Sequence, residues 1–152
     1  MWFMNKIVNP LVRLILRSPL HGLMGGSLLL IAYRGRKSGK DYTLPVQYAR
    51  DGDAIYIVPG MPEKKTWWRS LRGGAPVRLL LEGKTLAGNA EILEGGAAGT
   101  VPGLEAYLKR FPSAATTHNI RPSDSGSFNP EDLSRLAQSM VVVEVKLKRK
   151  LD

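Results

Sequence analysis

Residues 27–49 read SLLLIAYRGRKSGKDYTLPVQYA, so that two apolar runs enclose a short basic segment. The runs, residues 27–33 and 42–49, are rich in aliphatic, β-branched and aromatic side chains, which predicts two strands. Gly35 and Gly39, in the segment between the runs, are typical of a tight turn. We therefore expect a pair of strands joined by a strongly basic turn.

This basic turn, residues 34–40, has the composition of an anion site. Glycine allows main-chain N–H groups to face inward, Ser38 adds a hydroxyl donor, and Arg36 and Lys37 add positive charge. Phosphate and carboxylate are the groups that such a turn binds. A solvated hairpin turn is the alternative, and the absence of a following helix signal argues against a P-loop.

Short apolar runs separated by turn residues continue along the chain. They lack the alternation of strands and helices that is typical of parallel sheets, so the sequence predicts a six-stranded antiparallel barrel with helices, a mainly β fold of the α+β class. A glycine and alanine linker is expected at 95–99, and a long polar loop between Pro112 and Asn129. The remaining strands are predicted at 54–58, 77–81, 85–93 and 140–148, and helices at 67–71, 102–110 and 130–139.

Composition narrows the possible functions. The chain has 152 residues, 43% of them hydrophobic, with a net charge of +9, which is ordinary for a folded domain with an anionic partner. Because there is no cysteine, disulfides, thiolate metal sites and a cysteine nucleophile are excluded. Two histidines argue against a multi-histidine metal centre, so we expect no metal. Nucleic acid is also disfavoured, because the aromatic residues do not interleave with a basic stripe.

The N-terminal segment, residues 1–25, has the pattern of an amphipathic helix. Lys6, Arg13 and Arg17 fall on one side of a helical projection, and the apolar residues fall on the other. Such a helix either packs on its own domain, residues 26–152, or contacts an anionic membrane surface. No secretory pattern is present, so we expect a cytoplasmic protein, either free or associated with a membrane surface.

The order of several motifs carries a family resemblance. The sequence resembles the deazaflavin-dependent nitroreductases between about residues 28 and 92. The resemblance implies a split β-barrel of the flavin-reductase, FMN-binding type, and a bound coenzyme F-420, a deazaflavin with an anionic phosphate and polyglutamate tail. It also implies hydride transfer to a small hydrophobic acceptor of the quinone, enone or nitro type. The motifs are Gly35-Arg36-Lys37-Ser38-Gly39, Pro45-Val46, Asp51-Gly52-Asp53, Trp67 with Leu71, and Gly74-Ala75-Pro76-Val77.

Residue by residue, the resemblance implies a phosphate subsite in the basic turn and a ring subsite beside two strands. The two lysines of the following loop would reach the anionic tail, unless they are simply solvated, and the tryptophan either borders the coenzyme or anchors the core. Ser70 stands where the family has an asparagine, and Met61 where it has a basic residue. The predicted coenzyme site comprises Arg36, Lys37, Ser38, Gly39, Pro45, Val46, Val58, Pro59, Gly60, Lys64, Lys65 and Trp67.

The mechanism that this resemblance implies needs few catalytic side chains, because the coenzyme supplies the hydride. Tyr48, Tyr107, His21 and His118 are candidate proton donors by residue type alone. The alternative function is a non-catalytic or FMN-using split barrel that binds a hydrophobic or anionic ligand. Related barrels often dimerise, which makes a homodimer one alternative, but nothing in the periodicity indicates an interface and the oligomeric state stays open.

Overall fold

The computed structural model describes residues 28–60, 62, 67–81, 84–122 and 127–148. The predicted helix at 1–25 lies outside these residues, as do Met61, Lys64 and Lys65. Across the described ranges, no helix is long and apolar enough to cross a membrane.

The strands form one antiparallel sheet of seven members. Their hydrogen-bonded order is β2-β1-β5-β6-β7-β4-β3, so both outer strands come from the first third of the chain. The strands are β1 (Leu28–Arg34), β2 (Asp41–Gln47), β3 (Ala49–Asp51), β4 (Ala54–Ile57), β5 (Ala75–Leu81), β6 (Lys84–Glu94) and β7 (Val141–Leu147).

The two edges of this sheet are joined by a single residue, Tyr48. Two consecutive Cα steps reach at most about 7.6 Å, so Gln47 at one edge and Ala49 at the other must be close. A flat sheet of this order would separate its edges by six strand spacings, or roughly 29 Å. The sheet must therefore curl until its edges meet, which gives the predicted split-barrel architecture.

The strand count differs from the prediction. The run 42–49 was expected to be one strand, but it is divided at Tyr48 into β2 and β3, so six predicted strands become seven. Composition gives no sign of the break, since the run contains neither glycine nor a turn signal. The break is visible in the burial pattern instead. Tyr48 and Ala49 are consecutive and both buried, whereas buried and exposed residues alternate in a half-buried strand.

The barrel interior and its outer layer use opposite faces of the same strands. Val141, Val143 and Val145 of β7 point inward, whereas Val142 points outward and packs against helix residues such as Leu104. This alternation gives the molecule two layers, a barrel core and a helical cover. The interior cluster also includes Leu29, Ile31, Tyr33, Tyr48, Ile55, Ile57, Trp68, Leu71, Val77, Leu79, Leu81 and Ala90.

Three α-helices lie between β6 and β7: α1 (Thr100–Arg110), α2 (Pro112–Thr117) and α3 (Pro130–Ser139). A 3-10 helix, η1 (Trp67–Leu71), lies between β4 and β5. The predicted start of α3 is confirmed, because the Asn129 side chain accepts the main-chain N–H of Asp132 at 3.0 Å.

The prediction of a long polar loop after Pro112 is wrong for the first part of that segment, which forms α2. Proline ends one helix and is also favoured at the first position of the next, so α1 and α2 are separated only by Phe111. Ala115 of α2 is buried and packs in one cluster with Leu108 and Leu133, which holds α2 against the other two helices.

Asp132 fastens the loop before α3 to the helix. Its carboxylate is 1% exposed and accepts the main-chain N–H of Arg121 at 3.0 Å and the Arg121 Nε–H at 2.9 Å. Arg135 adds an ion pair at 3.2 Å. Hydrogen bonds from Arg121 are the main cause of a pKa for Asp132 well below its ordinary value of 3.8.

The depressed pKa of Asp132 predicts a stability loss in acid. Because folding lowers this pKa, the ionised carboxylate stabilises the fold above pH 3.8, and that contribution is lost as the pH falls below it. Urea unfolding from pH 7 to pH 3 should therefore show Asp132→Asn clearly less stable than the parent at pH 7, with the difference shrinking below about pH 4. Glu131→Gln, an exposed neighbour in the same turn, should show little difference. Equal pH profiles for the parent and Asp132→Asn would contradict the assignment.

Candidate functional site

The basic turn is closed by its own hydrogen bonds. The Gly35 N–H donates to the Lys40 carbonyl at 2.8 Å, and the Gly39 N–H donates to the Gly35 carbonyl at 2.9 Å. The Ser38 hydroxyl accepts the Lys40 N–H at 3.2 Å and lies 3.1 Å from the Tyr42 hydroxyl. The N–H groups of Gly35, Gly39 and Lys40 are thus engaged within the turn.

Glycine is required at position 35 by the Tyr42 ring. A Cβ built on Gly35 would lie 2.6 Å from Cε2 of Tyr42, which is closer than side-chain carbons approach. The Tyr42 ring in turn stacks on the Tyr33 ring at a centroid distance of 5.6 Å. The turn thus packs against the stacked rings of Tyr42 and Tyr33.

The basic turn is docked on η1. The Arg36 guanidinium donates to the Arg72 carbonyl, and the Arg36 N–H donates to the Ser70 hydroxyl at 3.5 Å, the outer limit of a hydrogen bond. Ser70, which replaces the family asparagine, therefore contacts the turn directly. Arg36 has a structural role in addition to any contact with a ligand, whereas Lys37 is exposed and has no ion-pair partner within the described residues.

Between the turn and η1 lies a cavity of about 390 Å³, which we call the basic cleft. Of the described residues, three cations and no carboxylate line it, so the lining favours an anionic group. Burial raises the pKa of the Tyr33 hydroxyl, and the neighbouring Tyr42 adds to the effect, so Tyr33 remains a neutral donor. The lining residues are Tyr33, Gly35, Arg36, Lys37, Ser38, Tyr42, Trp67, Arg69 and Ser70.

A second cavity of about 440 Å³, the apolar cleft, lies where β2, the end of β4 and the helices meet. Its polar side chains are Gln47, Tyr107 and His118. The Tyr107 hydroxyl donates to Gln47 Oε1 at 3.3 Å, which ties α1 to β2, and burial raises the pKa of Tyr107. The other lining residues are Leu28, Leu44, Pro45, Val46, Ile57, Val58, Pro59, Gly60, Trp67, Ala114 and Met140.

Trp67 lines both cavities, so the two clefts meet at its side chain. The ring is half-buried and lies 5.9 Å from the Tyr33 ring, centroid to centroid. We refer to the two adjoining clefts together as the groove, which is cationic on one side of Trp67 and apolar on the other. A ligand that fits this groove has a flat apolar part and an anionic part.

Most residues of the predicted coenzyme site line this groove. Arg36, Lys37 and Ser38 line the basic cleft, residues 45, 46 and 58–60 line the apolar cleft, and Trp67 lines both. Gly39 is in the turn but not among the lining residues of either cleft, and Tyr48 is buried in the barrel core.

Sequence reasoning missed other lining residues. Arg69 supplies the third cation of the basic cleft, and Met140 and Ala114 complete the apolar cleft. A single arginine in a short helix gives no local signal of a binding role. Its spacing from Trp67, two residues along the chain, becomes informative only once η1 is placed beside the basic turn.

Solved structures share this fold. One, described as an F-420-H2-dependent reductase (FDR-A), has a TM-score of 0.52 and 17% identity, and the match covers 79% of this chain and 94% of that chain. Another, described as a domain-swapped dimer, has a TM-score of 0.55 and 16% identity, and the match covers 95% of this chain and 97% of that chain. At these identities the likeness shows the fold alone. No curated protein matches the chain.

A family profile gives the stronger result. The profile of the F-420H(2)-dependent quinone reductases matches residues 18–100, which is more than half of the 152 residues. The matched range includes the basic turn, η1 with Trp67 and the strand walls of the groove, and it ends before the helical wall of the apolar cleft. This confirms the resemblance to deazaflavin-dependent reductases that the motifs indicated. The chain belongs to the F-420H(2)-dependent quinone reductase family.

Proposed function

We propose that this chain binds reduced coenzyme F-420 along the groove and passes its hydride to a quinone, enone or nitro-type acceptor. The observation that carries the proposal is the meeting of a cationic cleft and an apolar cleft at Trp67. The coenzyme has the same two parts, a flat ring and an anionic tail.

The basic cleft suits the phosphate of the coenzyme. Lys37 and Arg69 are exposed cations on opposite sides of the cleft, on the turn and on η1. Arg36 is partly engaged with the Arg72 carbonyl, so it contributes charge while it also holds the turn in place. Charge-assisted hydrogen bonds are stronger than neutral ones, which makes Lys37 the main phosphate ligand in this proposal.

The apolar cleft suits the ring and the acceptor. Pro45, Val46 and Val58 offer flat apolar surface without competing charge. Their burial of the ring would exclude water from the site of hydride transfer, which protects the reduced coenzyme. An acceptor that shares this cleft must itself be flat and largely apolar.

Reduction of a quinone to a hydroquinone requires one proton as well as the hydride. Tyr107 and His118 are the side chains of the apolar cleft that carry a transferable proton. Tyr107 is held in position by its hydrogen bond to Gln47, and its raised pKa keeps its proton in place at neutral pH. Histidine is the side chain that most often acts as a general acid in enzymes, so His118 is the proton donor in this proposal.

Lys37→Glu should weaken coenzyme binding while the protein folds normally. Removing a charge-assisted hydrogen bond costs about 1.5–3 kcal/mol, so the Kd for oxidised coenzyme F-420 should rise about tenfold or more. A fluorescence titration at fixed ionic strength measures this change, with FMN titrated in parallel. Preferential binding of FMN would contradict the coenzyme assignment.

The matched control is Lys84→Glu, which makes the same change in net charge. Lys84 begins β6, and its pairing with Leu81 puts it near the end of the sheet farthest from the basic turn. Its Kd should stay within about twofold of the parent, since exposed charges at such a distance are screened by salt. If both variants weaken binding equally, overall charge rather than the basic cleft holds the coenzyme.

Trp67→Ala should weaken binding of the coenzyme and should lower the melting temperature less than the control variant Trp68→Phe does. The ring borders both clefts, and aromatic contacts contribute about 0.5–1.5 kcal/mol beyond their buried area, so a loss of several-fold to about tenfold is expected. Trp68→Phe is the matched control. Trp68 is 3% exposed and donates its Nε1–H to the Pro62 carbonyl at 3.2 Å, so its replacement should lower the melting temperature and leave the Kd unchanged. If Trp67→Ala lowered the melting temperature and left the Kd unchanged, Trp67 would be a core anchor only.

A further inference from the structure

A second group of cations lies on the outer face of the sheet. Arg78 of β5 is opposite Ala87 of β6, and the main-chain N–H of Lys148, just after β7, donates to the Ala87 carbonyl at 2.9 Å. Arg78 and Lys148 thus flank Ala87, with their main chains about 10 Å apart. On β1, Ala32 pairs with Arg78, so Arg34 lies two residues further along on the same face.

Small residues open a pocket between these cations. Ala87 and Gly88 line it together with Pro76 and Val77, and its volume is about 220 Å³. Position 88 is restricted to glycine by the neighbouring strand, because a Cβ there would lie 2.6 Å from a methyl carbon of Val145. Gly88 pairs with Val77, so this Cβ would point into the barrel core. On the outer face, the concavity, which we call the outer pocket, is left open by the small side chain of Ala87.

The charge around the outer pocket is not balanced locally. Arg34 forms an ion pair with Asp41 at 3.2 Å, but among the residues that the structure describes no carboxylate lines the pocket itself. In the chain as described, neither Arg78 nor Lys148 has an ion-pair partner. Arg78 is partly buried, which limits the positions of its guanidinium. A planar fork of donors facing a concave, cationic site is suited to a group with several anionic oxygens.

We infer that the outer pocket binds a phosphate group, with Arg78 as the main ligand and Lys148 and Arg34 completing the charge. The phosphate belongs either to a small phosphate monoester or to an anionic phospholipid headgroup. None of its described lining residues also lines the basic cleft or the apolar cleft, so the inference does not depend on the proposed function.

An NMR titration of the 15N-labelled full chain tests the inference. Inorganic phosphate and glycerol phosphate are each added at constant ionic strength, with chloride as the balancing anion. We expect saturable shifts of the Arg78, Ala87 and Lys148 amides. Arg78→Gln should weaken this binding about tenfold or more, since a charge-assisted hydrogen bond is lost, whereas Lys84→Gln should leave it unchanged.

A second arm identifies the source of the phosphate. Sedimentation with vesicles of phosphatidylcholine, with and without phosphatidic acid, is compared for the parent, Arg78→Gln and Lys84→Gln. Binding that needs phosphatidic acid and falls only in Arg78→Gln assigns the pocket to a lipid headgroup. Saturable binding of free phosphate without such vesicle binding assigns it to a soluble phosphate monoester.

Two results would overturn the inference. One is that phosphate shifts only the amide signals of residues 35–42. The other is that Arg78→Gln and Lys84→Gln bind phosphate equally in the NMR titration and bind vesicles equally in the sedimentation assay. Titration of coenzyme F-420 into Arg78→Gln separates this test from that of the groove. Its coenzyme affinity should match that of the parent, so failure of one site leaves the result for the other intact.

Discussion

The one-residue connection at Tyr48 is the constraint on which the rest of the structure depends. Because Gln47 and Ala49 lie on strands at opposite edges of the sheet, seven strands must curl through most of a barrel. The curl brings the end of β2 beside the end of β4, and residues 45–46 and 58–60 line one cleft as a result. An open sheet of the same strands would hold these walls far apart.

The groove depends on a second long-range contact, between the basic turn and η1. Arg36 is 34 positions from Ser70 and 36 from Arg72, and its main-chain and side-chain contacts to them bring the charges of Lys37 and Arg69 to one cavity. Trp67, at the start of η1, then joins this cavity to the apolar cleft. Arg36 thus shapes the site of this deazaflavin-dependent reductase family member through the turn that it anchors.

Local sequence signals predicted what depends on local chemistry. The basic turn, the Asn129 cap of α3 and the succession of strands were all visible, because glycine, capping side chains and alternating apolar residues act over a few positions. The break at Tyr48, the helix after Pro112 and the part played by Arg69 were not, because each depends on residues distant in the chain. The predicted site therefore included the turn and strand walls of the groove and Trp67 of η1, and it lacked Arg69 and the residues that the α-helices add.

Closure of the barrel also sets an order for synthesis on the ribosome. Strand β4 pairs with β7, and Tyr56 is opposite Glu144, so the first third of the chain waits for one of the last segments to be made. At about 5–20 residues per second, the interval between Ile57 and Val141 is roughly 4–17 seconds. During that time β4 and β6 both expose an unpaired edge. The nascent chain is thus most open to aggregation, and most dependent on chaperones, before its last strand emerges.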